Sequence, residues 1–236
     1  MMVPRHILLP GIALLTACAG TAEQVGEPSP TACQAPISAY GSREFLKTNP
    51  DSVAAVLAEV PVTETSIGYG PSAGYLEEIT LVDGAWKIAR ATGPDTISLE
   101  TGPTSDAGAV FLVIASPDAW RAQPLDTPVE GMADLEARLS EFVAASGCMS
   151  SALPFRLSGV VEDAEWSVVG RPAGAKGHLQ RADVTLVGIY DPVDNDRYFM
   201  PQGAKVHVHM VTADGRVSGH LNGFSALTAG KLSLPE

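Results

Sequence analysis

The stretch Val206-His207-Val208-His209-Met210-Val211-Thr212-Ala213-Asp214-Gly215-Arg216-Val217-Ser218-Gly219-His220 decides how the C-terminal part of the chain folds. An Asp-Gly pair between alternating apolar residues is a strong signal for a β-hairpin with a two-residue turn. We therefore predict that Ala213 pairs with Arg216. The same register places His209 directly opposite His220.

Three histidines are expected on one face of this hairpin. His207 lies two residues before His209, so both side chains project from the same side of the strand. Opposed side chains lie ~5 Å apart at Cβ and diagonal ones ~7 Å, so the rings can reach one ion through bonds of ~2.1 Å. We predict that His207, His209 and His220 bind a metal, although ordinary hairpin histidines are the alternative.

The type and number of ligands indicate which metal binds and whether the site is catalytic or structural. Imidazoles without a neighbouring cysteine suit zinc, but they leave iron, manganese, cobalt and nickel open. Three protein ligands leave coordination positions for substrate or water, which is typical of a catalytic site. The other face of the hairpin is apolar and is predicted to pack on a core. Its residues are Val206, Val208, Met210, Val217 and Leu221.

The N-terminus predicts export from the cytoplasm. Residues 1–17 contain Arg5 and then an apolar stretch that is too short to span a bilayer, as in a signal peptide. Leu15-Thr16-Ala17-Cys18 resembles the bacterial lipobox, so we expect a lipoprotein anchored at the cell envelope through Cys18. A plain cleaved secretory peptide is the alternative. Residues 18–36 have the composition of a flexible tether.

Charge and cysteine content narrow the possible partners. The formal net charge of −12 argues against nucleic acid and anionic lipid surfaces. A small anionic substrate would need a local positive centre, such as a metal with an arginine. In an oxidising compartment Cys33 and Cys148 can pair, although two separate thiols are the alternative.

The body of the chain predicts a mixed α+β fold, of the α/β type in the broad sense, with two mixed or antiparallel β-sheet subdomains and few helices. We divide it into an N-terminal mixed-sheet domain, 37–150, and a C-terminal metal-binding β domain, 151–236. Asp51 is predicted to cap a short helix through Leu57, and a longer amphipathic helix is predicted from about Asp134. Asp83-Gly84 predicts a second tight hairpin. Strands are predicted at 65–69, 76–82, 85–91, 109–115, 155–161, 166–169 and 184–190.

The histidine motif resembles that of a known family. Val206-His207-Val208-His209-Met210, followed by Ser218-Gly219-His220 and Phe224, resembles the acetolactate decarboxylase signature, in which a Gly-His ends a hairpin eleven residues after the histidine pair. The stretch 184–192 looks like the strand before that hairpin, and 78–84 looks like the glutamate strand and turn of the family's first domain. The resemblance covers the chain from about residue 40.

The resemblance implies a zinc-dependent carboxy-lyase that converts 2-acetolactate to acetoin and carbon dioxide, and it suggests a homodimer. The chemistry agrees with the residues. A 2-hydroxy-3-oxo acid can chelate a metal through its hydroxyl and carbonyl oxygens, and a Lewis acid stabilises the enediolate that is left when carbon dioxide departs. A carboxylic acid must then deliver a proton.

The resemblance also implies a glutamate, an arginine and a late glutamate around the metal. Glu78 matches the first by its distance from the Asp-Gly turn, whereas Glu77 points to the other face; a surface charge is the alternative. Arg171 is the better match for the arginine that binds the substrate carboxylate, with Arg156 as the second choice.

Two further positions complete the predicted site. In the family the chain continues beyond the metal hairpin and a late glutamate returns to the metal. Glu236, the last residue here, is expected to take that place, with a frayed terminus as the alternative. Asn222, opposite His207, is a second candidate contact to the substrate.

Two rival functions stay open. One is a lipoprotein that binds a metal or a small acid without catalysis, which would tolerate loss of Glu78 and the arginine. The other, less favoured, is a cupin-like metal enzyme, since cupins also use a His-x-His pair. A cupin would place its third histidine much further along the chain and a glutamate soon after the pair, and neither is seen.

Overall fold

A computed structural model describes residues 34–103, 108–148 and 151–236. The predicted signal peptide, the lipobox with Cys18, and Cys33 lie outside the described residues, so export and lipid anchoring stay predictions. Cys148 is disulfide-bonded. Among the described helices, none combines the length and apolar character that a membrane span requires.

The first half of the chain forms an antiparallel sheet. Its strands are β1 (Ile37–Tyr40), β3 (Ile67–Pro71), β4 (Glu78–Val82), β5 (Ala85–Ala91), β6 (Ile97–Thr101) and β8 (Leu112–Ala115), in the order β1-β8-β3-β4-β5-β6. The short strands β2 (Ala55–Val56) and β7 (Gly108–Ala109) pair beside it. Asp83 and Gly84 have φ values of 50° and 72°, and Val82 pairs with Ala85, which confirms the predicted tight hairpin.

The second sheet is also antiparallel and partly closed. Its strands are β9 (Trp120–Pro124), β10 (Leu153–Val168), β11 (Ala175–Tyr190), β12 (Val206–Thr212), β13 (Ser218–Gly223) and β14 (Ala226–Pro235), in the order β11-β12-β13-β10-β14-β9. Because β10 also pairs with β11, the four strands β10 to β13 form a closed ring. The hairpin β12–β13 is therefore hydrogen-bonded on both of its sides. This architecture confirms the predicted fold class.

The helices agree with the sequence only in part. α2 (Gly131–Ala145) confirms the long amphipathic helix, with Leu135, Leu139 and Val143 buried. The predicted helix after Asp51 is wrong, since that segment contains β2 and a 3-10 turn, Leu57–Glu59. The reason is that Ala54 and β2 bond to β7. A short helix, α1 (Arg43–Thr48), lies upstream instead, and its cap is Ser42, whose Oγ accepts from the Phe45 amide at 3.0 Å.

The strands of the second sheet begin before the predicted domain boundary at residue 150. β9 precedes that boundary but pairs with β14 of the second sheet, and the buried side of α2 packs on the same core. The change from the first sheet to the second therefore falls between Ala115 and Trp120, because backbone pairing decides which sheet a strand joins. The division into domains 37–150 and 151–236 itself stays a prediction. The strands predicted at 155–161 and 166–169 are one continuous strand, β10.

The register of the histidine hairpin is confirmed, although its turn differs. His209 pairs with His220. Ala213 does not pair with Arg216, however, because its amide donates to the Asp183 carbonyl oxygen at 2.8 Å. The Thr212 amide donates to Val217 at 2.9 Å, so the connection is a four-residue loop, 213–216, centred where the two-residue turn was predicted. Lengthening the loop equally on both sides leaves the register unchanged.

The apolar face of the hairpin packs as predicted. Val206, Val208, Met210 and Leu221 are buried in one cluster with the apolar side of α2, and Val217 packs at its edge. This packing turns His207 and His209 toward the opposite side of the sheet, where the first sheet lies.

We predict that Gly188→Ala destabilises the protein. Gly188 pairs with Val208, and a Cβ there would clash with the His207 carbonyl oxygen and lie 2.8 Å from Phe155 Cζ. Forcing a methyl group into this contact should lower the free energy of unfolding by about 1–3 kcal/mol, measured by urea denaturation. Gly223→Ala is the control, since nothing lies within 4 Å of its added Cβ. Equal midpoints for both variants would contradict the prediction.

Candidate metal centre

The three histidines converge on one point of the sheet. His207 and His209 lie on β12, 9% and 0% exposed, and His220 lies on the adjacent β13. One ring nitrogen of each lies within 4.8 Å of the others, and His220 Nδ1 is 3.0 Å from His207 Nε2. Ligand atoms around a tetrahedral ion with bonds of ~2.1 Å stand ~3.4 Å apart, so a small adjustment lets all three bind one ion.

His209 offers the test of whether an ion fits. Its Nε2 is buried and has no hydrogen-bond partner among the described residues. A buried polar atom without a partner is costly, and a metal ion would satisfy it. On the other side of the ring, Thr80 Oγ1 is 2.9 Å from Nδ1. If Nδ1–H donates to Thr80, the lone pair of Nε2 is directed at the cluster, which is how a supporting hydrogen bond orients a ligand.

Burial keeps these imidazoles in the form that binds a metal. It is the largest cause that lowers the pKa of His207 and of His209 well below the usual value, and the neighbouring histidines lower both further. Burial also lowers the pKa of His220 to about 4. All three rings are therefore neutral at neutral pH, and a neutral imidazole is the ligand form.

Glu78 is the one predicted acid that lies at the cluster. It is 5% exposed on β4, and its Oε1 is 3.5 Å from His209 Nε2. Its Oε2 accepts from the Val169 amide at 3.1 Å. Burial raises the pKa of Glu78 to about 7, and the Val169 hydrogen bond opposes this shift. Glu77 faces the other way, as expected, and pairs with Arg90 at 2.6 Å.

The predicted arginines are engaged elsewhere. Arg171 Nη1 is 2.6 Å from Asp51 Oδ1, and its guanidinium lies over the Tyr75 ring. Arg156 Nη2 is 2.9 Å from Asp83 Oδ2. Among the described contacts, neither arginine touches one of the three histidines. The role of either arginine in holding a substrate stays a prediction.

The two remaining predicted positions have other partners. Glu236 is half exposed after β14 and pairs with Arg121 at 3.4 Å, so its place beside a metal stays a prediction that this ion pair argues against. Asn222 Oδ1 accepts from Ser167 Oγ at 3.2 Å. Asn222 also lines, with His220, a cavity of about 530 Å³ next to the start of α2. His220 is thus the histidine that borders open space.

Residues outside the predicted set also surround the histidines. They are Thr80, Tyr69 and Arg43. Tyr69 packs its ring on His207 and His209, and the positive charge of Arg43 is near enough to lower the pKa of His207 further. The alternation on β4 places Thr80 on the same face as Glu78, which the sequence could have indicated. Tyr69 and Arg43 carry no such local signal, because each comes from a different strand or helix.

Comparisons with known proteins show the fold. No protein-family model matches the chain, and no curated protein matches it. Alpha-acetolactate decarboxylase from Bacillus subtilis strain 168 is similar in structure, with a TM-score of 0.63, 15% identity, and 84% of each chain covered. Acetolactate decarboxylase from Bacillus subtilis subspecies spizizenii matches with the same TM-score, 14% identity, and 84% of this chain and 85% of that one covered. A Staphylococcus aureus protein of unknown function, similar to alpha-acetolactate decarboxylase, also has a TM-score of 0.63, with 14% identity and 84% of each chain covered. The chain therefore has the fold of acetolactate decarboxylases, with three histidines in it that can hold a metal ion.

Proposed function

We propose that the protein is a carboxy-lyase that converts 2-acetolactate (2-hydroxy-2-methyl-3-oxobutanoate) to acetoin and carbon dioxide. The observation that carries this proposal is the position of buried Glu78 beside three neutral histidines on an acetolactate decarboxylase fold. His207, His209 and His220 would hold a zinc ion. When bound, zinc supplies Lewis-acid polarisation of the hydroxyl and carbonyl oxygens of the substrate.

Glu78 would supply the proton that the reaction needs. Breaking the bond to the carboxylate carbon releases carbon dioxide and leaves the electron pair on the adjacent carbon, which must take up one proton. Oε2 of Glu78 is held by the Val169 amide, so Oε1 is the oxygen that is free to carry that proton. In the metal-free protein, burial raises the pKa of Glu78 to about 7, so this carboxyl holds a proton more readily than an ordinary glutamate. Solvent can restore the proton after each turnover.

A second candidate is a metal-binding protein without turnover. The observation that favours it is that Arg171 and Glu236, which the family resemblance assigns to the site, are ion-paired with Asp51 and Arg121. Metal binding alone needs only the histidines, whereas decarboxylation also needs the proton from Glu78. Metal content and acetoin formation, measured on one sample, separate the two functions.

We predict that His209→Ala removes stoichiometric zinc from the purified protein, because the buried Nε2 ligand is lost. His220→Ala should do the same, and elemental analysis after dialysis measures the zinc-to-protein ratio. His178→Ala is the matched control. His178 lies on β11, away from the histidine cluster, where its exposed side chain is 3.5 Å from Asp163 of β10. If zinc stays bound with unchanged affinity in both His209→Ala and His220→Ala, the proposed metal site is wrong.

We predict that Thr80→Val weakens zinc binding by about 10- to 100-fold, because His209 loses the hydrogen bond that orients its ring. Competition with a chromophoric chelator measures the dissociation constant. Thr80→Ser keeps a hydroxyl and should stay within a few-fold of the wild type. Equal affinities for Thr80→Val and the wild type would show that this hydrogen bond does not support the ligand.

We predict that Glu78→Gln lowers kcat/KM for acetoin formation at least ~100-fold, since an amide cannot deliver the proton. The zinc content should be unchanged. Glu77→Gln is the matched control on the neighbouring position and should keep wild-type activity, because Glu77 faces Arg90. A zinc-loaded wild type with no turnover above the spontaneous rate would instead support the binding-protein candidate.

A further inference from the structure

Tyr69 covers the buried side of the histidine cluster. It lies on β3 of the first sheet and is 1% exposed. Its ring centre is 4.1 Å from that of His207 and 5.3 Å from that of His209, with interplanar angles of 39° and 27°. One aromatic ring therefore contacts two of the three proposed ligands from a strand outside their own sheet. Rotation of either imidazole would require Tyr69 to move.

The hydroxyl of Tyr69 has a separate partner. It donates to the Tyr198 carbonyl oxygen at 2.9 Å, in the loop between β11 and β12. The rings of Phe111 and Phe199 stack beside it, and Tyr198, Phe199 and Met200 share one buried cluster with Tyr69.

The loop that accepts this hydrogen bond is held in place by several further hydrogen bonds. Buried Asp191 accepts from the amides of Val193 and Asp194 through Oδ1, and from Arg197 through Oδ2 at 2.8 Å. Arg43 on α1 donates to the carbonyl oxygens of Asn195, in the middle of the segment 191–200, and of Met200, at its end. The hydroxyl of Tyr69 adds a contact at Tyr198, between Arg197 and Met200, and so links this segment to the aromatic ring that packs on the histidines.

We infer that Tyr69 is a positioning residue: its ring braces His207 and His209 in the orientation that binds the metal, and its hydroxyl holds the segment 191–200 against the cluster. The ring part of this inference rests on the proposed metal site. The hydroxyl part concerns the chain alone and can be measured without a metal. Phenylalanine at this position would supply the ring but not the link to the segment.

Two substitutions separate the two roles. Tyr69→Phe keeps the ring and removes the hydroxyl, whereas Tyr69→Leu removes both. Tyr190→Phe is the matched control. Tyr190 is also 1% exposed, but it belongs to the buried cluster that contains the apolar side of α2 and not to the cluster of Tyr69. Each variant is studied as the full chain, first without metal and then loaded with cobalt(II), whose visible d–d bands report the arrangement of its ligands.

In the metal-free protein, Tyr69→Phe should speed hydrogen exchange of the Phe199 and Met200 amides about fivefold, because one buried hydrogen bond no longer resists opening. In the cobalt-loaded protein, Tyr69→Leu should lower the affinity for cobalt(II) about 10- to 100-fold and shift the d–d bands. Tyr69→Phe should leave the bands close to the wild type, and Tyr190→Phe should change neither measurement.

Unchanged exchange in Tyr69→Phe would overturn the role of the hydroxyl. A Tyr69→Leu protein that melts at a lower temperature but shows wild-type bands and affinity would overturn the role of the ring, because Tyr69 would then support only the fold. Failure of the wild type to bind cobalt would overturn the proposed metal site, and the ring role with it. Because that failure would be seen in the wild type, it can be distinguished from a failure of the positioning role of Tyr69, which only the variants reveal.

Discussion

The closed pairing of β10, β11, β12 and β13 is the constraint on which the rest of the site depends. Each strand of the histidine hairpin is hydrogen-bonded to a neighbour on both sides, β12 to β11 and β13 to β10. A one-residue slip of β12 would turn His207 and His209 into the core and Val208 out of it, so the register is held by both backbone and packing. The hairpin can therefore carry three adjacent imidazoles on one face without an edge from which it could fray.

Burial gives this rigid face its chemical character. Removing water disfavours the charged form of every group in the site, which lowers the pKa of the histidines and raises that of Glu78. The same desolvation thus prepares neutral ligands and a carboxylic acid that can hold a proton near neutral pH. The first sheet contributes Glu78, Thr80 and Tyr69, so the site exists only where the two sheets meet.

Local patterns predicted the parts of this arrangement that local physics controls. The alternation around Asp214-Gly215 predicted the register of the hairpin. The choice of Glu78 came from the family resemblance, and strand alternation placed Glu77 on the other face. The predicted helix after Asp51 failed because pairing with β7, distant in sequence, overrides the cap signal. The two-residue turn at Asp214-Gly215 failed for a similar reason, since the Ala213 amide bonds to Asp183 on a neighbouring strand.

By itself, the sequence determined the apolar and histidine faces of the hairpin and the pairing of His209 with His220, since these depend on a period of two residues and on turn chemistry close along the chain. The tertiary structure decided which groups besides Glu78 meet those histidines from other strands. It brought Tyr69 and Thr80 to the rings, and it tied Arg171 and Glu236 to Asp51 and Arg121. The physical reason is that these contacts join residues far apart in the chain, so they depend on how the two sheets pack together.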